Sequence, residues 1–378
     1  MIDTPPNGTS AGHPSEELVL DGDTDNSTGR FSFSRPQLSL PRNMRRIELS
    51  HASELLRRLR AIRGDKQVYT LEQMRIEIRV LSRLLQPVIS FTNGMGGASK
   101  STTALYFGNI HSDTTRRTTI LLPTTSMAEM ASGGMYAGIQ PEDDPLDILR
   151  FAKLCEKYES YWAISPDIPV TPYGLHVISE PFDEDVDIDF EFRTGEYVKV
   201  FNSARSASDA MMLDHGNDGI RMGSIVLEAI HRSHVVVFTA TADNQKTLQK
   251  LSQIIRTYAN DKTQPATSDD TSLVRDPRQI STETKVLNSI IVISKAGRGQ
   301  NSDSFRRYID VPNFKGTILT IPKDSYIEGD VVSRLEQLNS RTLKAYTYAH
   351  LMTLRKGAEL CGIDLSMLDP VEEPSTIS

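Results

Sequence analysis

The sequence contains little cysteine, no long apolar run and no strong excess of one charge. Its two cysteines, Cys155 and Cys361, lie far apart and follow no metal-ligand spacing, which argues against a disulfide framework and favours a reducing, cytoplasmic environment. No run of about 20 apolar residues is present, so we expect no membrane span. A net charge of −7 over 378 residues excludes a protein that binds nucleic acid through its overall charge, although it leaves room for a local basic surface.

The chain divides by composition into a tail, a basic arm, a main domain and a second tail. Residues 1–40 are rich in Ser, Thr, Asp, Gly and Pro and lack hydrophobic periodicity, which predicts a disordered tail. Residues 41–86 are predicted to form a basic helical arm, in which the stretch 42–66 carries eight Lys and Arg residues against three Asp and Glu. Residues 87–360 form the predicted main domain, and residues 361–378 form a C-terminal tail.

Two interpretations of the arm stay open. Its second helix is predicted over Leu71–Leu85, with Met74, Ile78 and Leu81 on one face. In the first interpretation, the arm contacts a partner protein, nonspecific DNA or anionic lipid through the basic stretch 42–66. In the second interpretation, the arm packs on the main domain as a pair of helices with a solvated outer face.

From Pro87 onward, short apolar strands alternate with helices. The predicted strands are 88–91, 118–122, 175–178, 210–213, 235–239, 290–294 and 317–321, and the predicted helices are 100–110, 146–156, 222–231, 248–258 and 331–360. This alternation predicts an α/β fold, with a doubly wound, mainly parallel sheet that has helices on both faces, preceded by the N-terminal helical arm. An acidic insertion at 179–199, interpreted as a solvated loop rather than a divalent-metal site, and a flexible polar loop at 260–284 interrupt the pattern.

The stretch Val88–Thr103 has the layout of a phosphate-binding loop: an apolar strand, a glycine-rich turn, then a lysine and three hydroxyl residues that open a helix. The generic pattern G-x-x-x-x-G-K-[ST] is met from Gly94, except that Ser99 stands where the last glycine belongs. In such loops the helix N-terminus faces phosphate, the lysine adds positive charge and the next hydroxyl ligates Mg²⁺. Lys100 and Ser101 are placed for these last two tasks. The alternative is a strand–turn–helix connection that binds no nucleotide.

This stretch resembles the deviant phosphate-binding loop of the ParA/MinD ATPases, whose pattern is approximately V-I-S-x-x-N-x-K-G-G-x-G-K-[ST]-T-T. The match covers Val88–Ser90, Asn93, the glycine pair, and the lysine and hydroxyl residues that follow. Less specific segments extend the resemblance over residues 87–350, and the last of them is similar to the MinD-like proteins of Actinobacteria. The resemblance implies ATP and Mg²⁺ as cofactors. The nucleotide-binding residues that it implies in the loop are Gly94, Gly96, Gly97, Ala98, Ser99, Lys100, Ser101 and Thr102.

Two functional residues of the family are replaced. Met95 stands at the signature lysine, which in the family reaches across a nucleotide-sandwich dimer to the partner's phosphates, and a thioether cannot supply that charge. Thr125 stands where the family has the aspartate that positions and polarises the attacking water. Ser99 is expected to be tolerated because serine is small. We therefore expect ATP binding with impaired or slow hydrolysis, and an ATPase only if turnover is retained.

Further positions complete the site that the resemblance implies. Asp214 would hold the water shell of Mg²⁺, with Ser101 as the other metal ligand. Lys295 and Pro322 lie in segments that border the adenine in the family. His215, next to Asp214, is interpreted as a satisfied histidine rather than a catalytic one.

The resemblance implies an ATP-dependent switch in positioning, partitioning or secretion, which forms a homodimer or docks on a partner protein that the sequence does not identify. Two alternatives stay open. The first is a degenerate relative that serves as a scaffold or adaptor. The second is a DNA-partitioning accessory that acts through the basic stretch 42–66.

Overall fold

The computed structural model describes most of the predicted main domain and the second helix of the arm. The described residues are 70–93, 96–124, 137–139, 146–158, 160–180, 194–215, 224–262, 276–328 and 333–365. The predictions for the N-terminal tail, for the basic stretch 42–66, for Gly94, Met95 and Thr125, and for the chain beyond residue 365 fall outside these ranges. DNA binding through the arm therefore stays a prediction.

The seven strands that the structure describes form one sheet, in which every neighbouring pair is parallel. The strands are β1 (Val88–Thr92), β2 (Thr119–Pro123), β3 (Leu175–Val177), β4 (Ala210–Asp214), β5 (Val235–Thr241), β6 (Ile290–Ala296) and β7 (Thr317–Pro322). They lie in the order β3-β2-β4-β1-β5-β6-β7. The predicted parallel sheet is confirmed. Because all strands run the same way, their carboxyl ends share one edge, and β1 lies at its centre.

Helices cover both faces of the sheet, which confirms the doubly wound architecture. They are α1 (Leu71–Leu85), α2 (Lys100–Thr115), α3 (Ile148–Lys157), α4 (Tyr161–Ile164), α5 (Thr194–Ala207), α6 (Ser224–Arg232), α7 (Gln245–Ala259), α8 (Thr282–Leu287), α9 (Ser302–Arg306), α10 (Ser325–Glu328) and α11 (Ser340–Leu360). Ile89 and Phe91 of β1 face a core formed with α1, α2 and α11. Val88 faces the opposite core, which contains α3 and α5. Among the described residues, we find no helix that combines the length and the apolarity needed to span a bilayer.

The second helix of the predicted arm is α1, and it packs within the main core. A capping box between Thr70 and Gln73 starts it, because both side chains satisfy backbone N–H groups at the helix end. Its apolar face, which includes Ile78, is buried with residues of α2 and α11. The buried Glu77 accepts a hydrogen bond from Arg355 Nε of α11. This helix therefore belongs to the same compact unit as the sheet.

The last helix begins later than the predicted residue 331. α11 starts at Ser340, after a short 3₁₀ turn at Leu335–Gln337. The Asn339 side chain accepts a hydrogen bond from the backbone N–H of Thr342 at 2.8 Å, and Asp324 Oδ2 accepts from the backbone N–H of Asn339 at 3.1 Å. These bonds hold Asn339 in an extended conformation as the N-cap, so the helix cannot extend further toward its N-terminus.

Both predicted interruptions are shorter than expected. The loop prediction for 260–284 is wrong at its end, because residues Pro277–Gln279 form a 3₁₀ turn and α8 begins at Thr282. The Ser281 side chain caps α8 by accepting from the backbone N–H of Thr284. The acidic insertion at 179–199 overlaps α5, which begins at Thr194, and its residues 181–193 lie outside the described part of the chain.

Candidate nucleotide-binding site

The loop that follows β1 emerges at the centre of the carboxyl edge of the sheet. β1 pairs with β4 on one side and with β5 on the other, so both neighbouring strands end beside the loop. Gly97 and Ser99 have left-handed backbone conformations, with φ of +70° and +59°, and Ala98 between them is buried. α2 begins at Lys100 directly afterwards. This sharp turn presents the first N–H groups of the helix at the sheet edge.

The N-terminus of α2 combines the positive end of the helix dipole with a positive side chain. Its first turn contains no acidic residue, and within the described residues the Ser99 side chain makes no capping hydrogen bond. Lys100 is 6% exposed, whereas Ser101 and Thr102 beside it are half-buried. The Lys100 charge is repelled by the positive end of the helix dipole, whereas a bound anion is attracted by the dipole and by Lys100. The arrangement therefore fits phosphate better than a purely structural turn.

Asp214 ends β4, next to the loop. It pairs with Phe91 of β1 and with Pro123 of β2, and its side chain is buried. Thr124 donates its backbone N–H to the carbonyl oxygen of Asp214 at 2.9 Å, which joins the end of β2 to the end of β4. Asp214 and Ser101 thus bring a carboxylate and a hydroxyl to the same edge, and oxygen atoms of this kind are the ligands that Mg²⁺ prefers.

His215 follows Asp214 and contacts β1. Its backbone N–H donates to the carbonyl oxygen of Phe91 at 3.1 Å, and its Nε2 atom lies 3.2 Å from Ser90 Oγ. Burial and, second, the positive charge of Lys100 lower the pKa of His215 to about 3, so the ring is neutral at physiological pH. The interpretation as a satisfied histidine holds for Nε2 alone, because Nδ1 has no hydrogen-bond partner among the described residues.

Three buried polar atoms at this edge find no hydrogen-bond partner within the described ranges. Asn93 Oδ1 after β1, Thr124 Oγ1 after β2 and His215 Nδ1 after β4 make no hydrogen bond to any residue that the structure describes. Buried polar groups usually have partners, and one left without costs roughly 1–3 kcal/mol. Together with Lys100, Ser101 and Asp214, these polar atoms at the carboxyl ends of three neighbouring strands give the edge the oxygen and nitrogen groups that a polar ligand and its water can contact. The residues present are therefore suited to a nucleotide with Mg²⁺.

Comparison with solved structures identifies the fold. A ParA family ATPase from Chlorobium tepidum TLS aligns with a TM-score of 0.52 at 14% identity, over 70% of this chain and 99% of that chain. The chain has the fold of the ParA family ATPases. The septum site-determining protein MinD from Pyrococcus horikoshii OT3, complexed with Mg-ADP, aligns with a TM-score of 0.46 at 14% identity, over 70% of this chain and 94% of that chain. The sequence itself matches no family model and no curated protein.

Lys295 and Pro322 lie at the carboxyl edge of this ParA-type fold, on the β5–β7 side of the loop. Lys295 has a φ of +57°, and its Nζ atom lies 3.7 Å from Asp243 Oδ2. Its neighbour Ser294 contacts the loop through Ser99. Pro322 ends β7, which pairs with β6 across an irregularity in register. The structure thus brings Lys295 close to the loop and places Pro322 one strand further out.

Two residues beside the loop were not among the sequence-predicted site residues. Ser294 Oγ lies 3.0 Å from Ser99 Oγ. Asn244 lies next to Gly97, where an added Cβ atom would be 3.9 Å from Asn244 Nδ2. Ser294 belongs to the pair Ser294–Lys295, which resembles the family's Asn–Arg/Lys pair near the base but indicates no contact with the loop. Asn244 has only the signal of an N-cap, since its side chain accepts from the backbone N–H of Lys246 at 3.1 Å. Their places at the loop follow from strand order, which spacing along the chain does not reveal.

Proposed function

We propose that this protein is a ParA/MinD-like nucleotide-binding protein that binds Mg·ATP at the loop between β1 and α2 and hydrolyses it slowly. One observation carries the proposal: the buried Lys100 at the N-terminus of α2, which has no acidic residue in its first turn, beside the buried Asp214 at the end of β4. A positive helix end, a positive side chain and a carboxylate together suit a phosphate chain with a divalent cation.

Each residue of the site has a distinct task in this proposal. The backbone N–H groups of residues 96–102 and the Lys100 ammonium group bind the phosphates. Ser101 supplies a hydroxyl oxygen to Mg²⁺, and Asp214 holds its water shell; when bound, the metal neutralises phosphate charge. Lys295 and Pro322 border the base. The fold is shared with ParA family ATPases, which agrees with ATP as the ligand.

Slow hydrolysis is proposed from the two replaced residues. Thr125 has no carboxylate to orient an attacking water, and Met95 carries no charge to place on a partner's phosphates. His215 is a poor substitute for the carboxylate as a base, because burial and, second, Lys100 lower its pKa to about 3, so its neutral ring has little affinity for a proton. A protein that binds ATP and turns it over slowly suits a switch in positioning, partitioning or secretion, in which the ATP-bound form dimerises or docks on a partner.

The decisive test is calorimetric titration of the full chain with ATP and ADP, with and without Mg²⁺. We expect saturable binding of both nucleotides that Mg²⁺ strengthens. Lys100→Glu should abolish it, because it places a negative charge against the phosphates. Lys199→Glu is the control, since Lys199 is an exposed residue of α5 whose side chain lies 3.9 Å from Glu156. Absence of binding to the wild type, or equal binding to Lys100→Glu, would contradict the proposal.

Measurement of phosphate release from ATP tests the proposed slow hydrolysis. We expect the double variant Met95→Lys/Thr125→Asp to release phosphate from ATP faster than the wild type, because it restores both replaced groups. Rapid release by the wild type would show that this chain uses other residues for turnover.

A further inference from the structure

Ser99 has a backbone conformation that serine adopts at a cost. Its φ and ψ of 59° and 31° lie in the left-handed region, where an L-residue with a Cβ atom is disfavoured and glycine is not. The small size of serine, on which its expected tolerance was based, is therefore not the relevant property. Something must hold Ser99 in this conformation.

Hydrogen bonds on both sides hold Ser99. Its carbonyl oxygen accepts from the backbone N–H of Thr103 at 3.0 Å and from Thr103 Oγ1 at 2.6 Å, which fixes the residue to the first turn of α2. Its hydroxyl lies 3.0 Å from the hydroxyl of Ser294 on β6. Ser294 is 3% exposed, and its Oγ atom also lies 3.3 Å from the carbonyl oxygen of Ala240 on β5. The loop is thereby joined to two strands on one side of it.

We propose that Ser99 and Ser294 form a latch that holds the phosphate loop in its binding conformation. Ser294 is then a positioning residue, because it acts on the ligand only through Ser99. This inference rests on the proposed nucleotide site. Since Ser294 directly precedes Lys295, the latch also joins the phosphate end of the site to the strand that borders the base. A glycine at position 99 would need no latch, because glycine adopts this backbone conformation without cost.

A double-mutant cycle on nucleotide affinity tests the latch. Ser294→Ala should raise the Kd for Mg·ATP about three- to tenfold, the range expected when one hydrogen bond is lost. In the Ser99→Gly background, the same substitution should have no effect. Ser289→Ala is the matched control, because Ser289 is a buried serine at the opposite end of β6 whose hydroxyl has no hydrogen-bond partner in the described part of the chain.

Amide hydrogen exchange without nucleotide tests the latch independently of binding. Ser294→Ala should speed exchange in the peptide that spans residues 96–103. Ser289→Ala should leave it unchanged. In the Ser99→Gly background, Ser294→Ala should add nothing further, because the hydroxyl that Ser294 holds is already absent.

The two measurements separate the failure of the latch from the failure of the proposed function. If the wild type binds no nucleotide, the proposed function fails, and hydrogen exchange alone decides whether the latch exists. If the wild type binds ATP and Ser294→Ala binds it equally well, the latch has no role in binding and the inference is overturned. An equal effect of Ser294→Ala in both backgrounds would also overturn it, because Ser294 would then act through Ala240 rather than through Ser99.

Discussion

The two ends of α2 bury polar groups in different ways. At the C-terminal end, His111 lies in a chain of contacts in which Ser82 Oγ is 3.0 Å from His111 Nε2 and His111 Nδ1 is 2.9 Å from His350 Nε2. Arg79 Nε donates to the carbonyl oxygen of Thr114 at 2.8 Å. At the N-terminal end, the buried Lys100 stands at a helix start without acidic residues. At the C-terminal end, side chains of the neighbouring helices α1 and α11 supply hydrogen-bond partners. The N-terminal end has the charge that suits an anionic ligand.

From this difference we expect one end of the helix to determine stability and the other end to determine nucleotide binding. Changes in the layer formed by α1, α11 and the C-terminal half of α2 should lower the free energy of unfolding and leave nucleotide affinity unchanged. Changes in the first turn of α2 should weaken nucleotide binding and leave the free energy of unfolding unchanged. The following experiments measure the free energy of unfolding, the nucleotide affinity, or both.

The largest effect is expected from Glu77→Ala in α1. Glu77 is 1% exposed and paired with Arg355 of α11, so the substitution leaves a largely buried guanidinium group without its carboxylate. Loss of one partner of a buried ion pair costs about 3–5 kcal/mol. Chemical denaturation should show this loss, while the Kd for Mg·ATP at low denaturant stays that of the wild type.

A paired substitution separates the lost ion pair from general damage to the core. Glu77→Met/Arg355→Met removes both charges, and we expect it to recover much of the stability, because well-packed apolar residues can replace a buried ion pair. A change in nucleotide affinity in any of these variants would break the assignment of this layer to stability alone.

The histidine pair predicts a loss of stability in acid. Burial and, second, the charge of Arg117 lower the pKa of His111 to about 3, and burial followed by His111 lowers that of His350 well below its usual value. Both rings are therefore neutral in the folded protein. The unfolded chain takes up these protons near pH 6.5, so stability is lost as the pH falls below that value. For His111 alone the loss should reach about 2 kcal/mol at pH 5.

The free energy of unfolding, measured between pH 7 and pH 5, tests this loss. His215 shifts in the same direction, so the wild-type slope includes its contribution. The double variant His111→Gln/His350→Gln should therefore show a shallower slope rather than none. Identical slopes for the two proteins would mean that the pair does not control acid stability.

The parts of the fold that depend on residues adjacent along the chain were predictable from the sequence. Apolar runs such as Val235–Thr239 predicted the buried strands, and the glycine turn before Lys100 placed the start of α2 correctly. The α8 helix was missed because the residues around its cap, Ser281, are polar and resemble a loop, although Ser281 satisfies the backbone of the first turn. The late start of α11 depends on Asp324, a residue from another segment that holds its N-cap.

The site was predictable only where a motif is continuous. Lys100, Ser101 and the loop glycines lie in one stretch, so their shared position follows from the sequence. The contact between Ser99 and Ser294 depends on β6 lying two strands from β1, which the strand order alone determines. The left-handed conformation of Ser99 is also a property of the folded loop, since serine by itself predicts no positive φ.

A pair of hydroxyl deletions in α2 gives the smallest effect and the sharpest comparison. Ser101 lies in the first turn and Thr115 in the last, where Thr115 Oγ1 donates to the carbonyl oxygen of His111 at 2.8 Å. If Ser101 is a ligand of Mg²⁺, as proposed, Ser101→Ala should raise the Kd for ATP about tenfold in the presence of Mg²⁺ and much less in its absence. Thr115→Ala should leave both constants unchanged and lower the free energy of unfolding by about 1 kcal/mol or less.

Titrations of the two variants with ATP, each with Mg²⁺ and with a chelator, measure these constants. The comparison depends on the Mg²⁺-dependent part of the affinity, because a Ser101 hydroxyl that only stabilised the helix start would change both titrations equally. If Ser101→Ala loses the same affinity with and without the metal, Ser101 is not a ligand of Mg²⁺. If Thr115→Ala weakens ATP binding as much as Ser101→Ala does, then nucleotide binding does not depend on the N-terminal end of α2 more than on the C-terminal end.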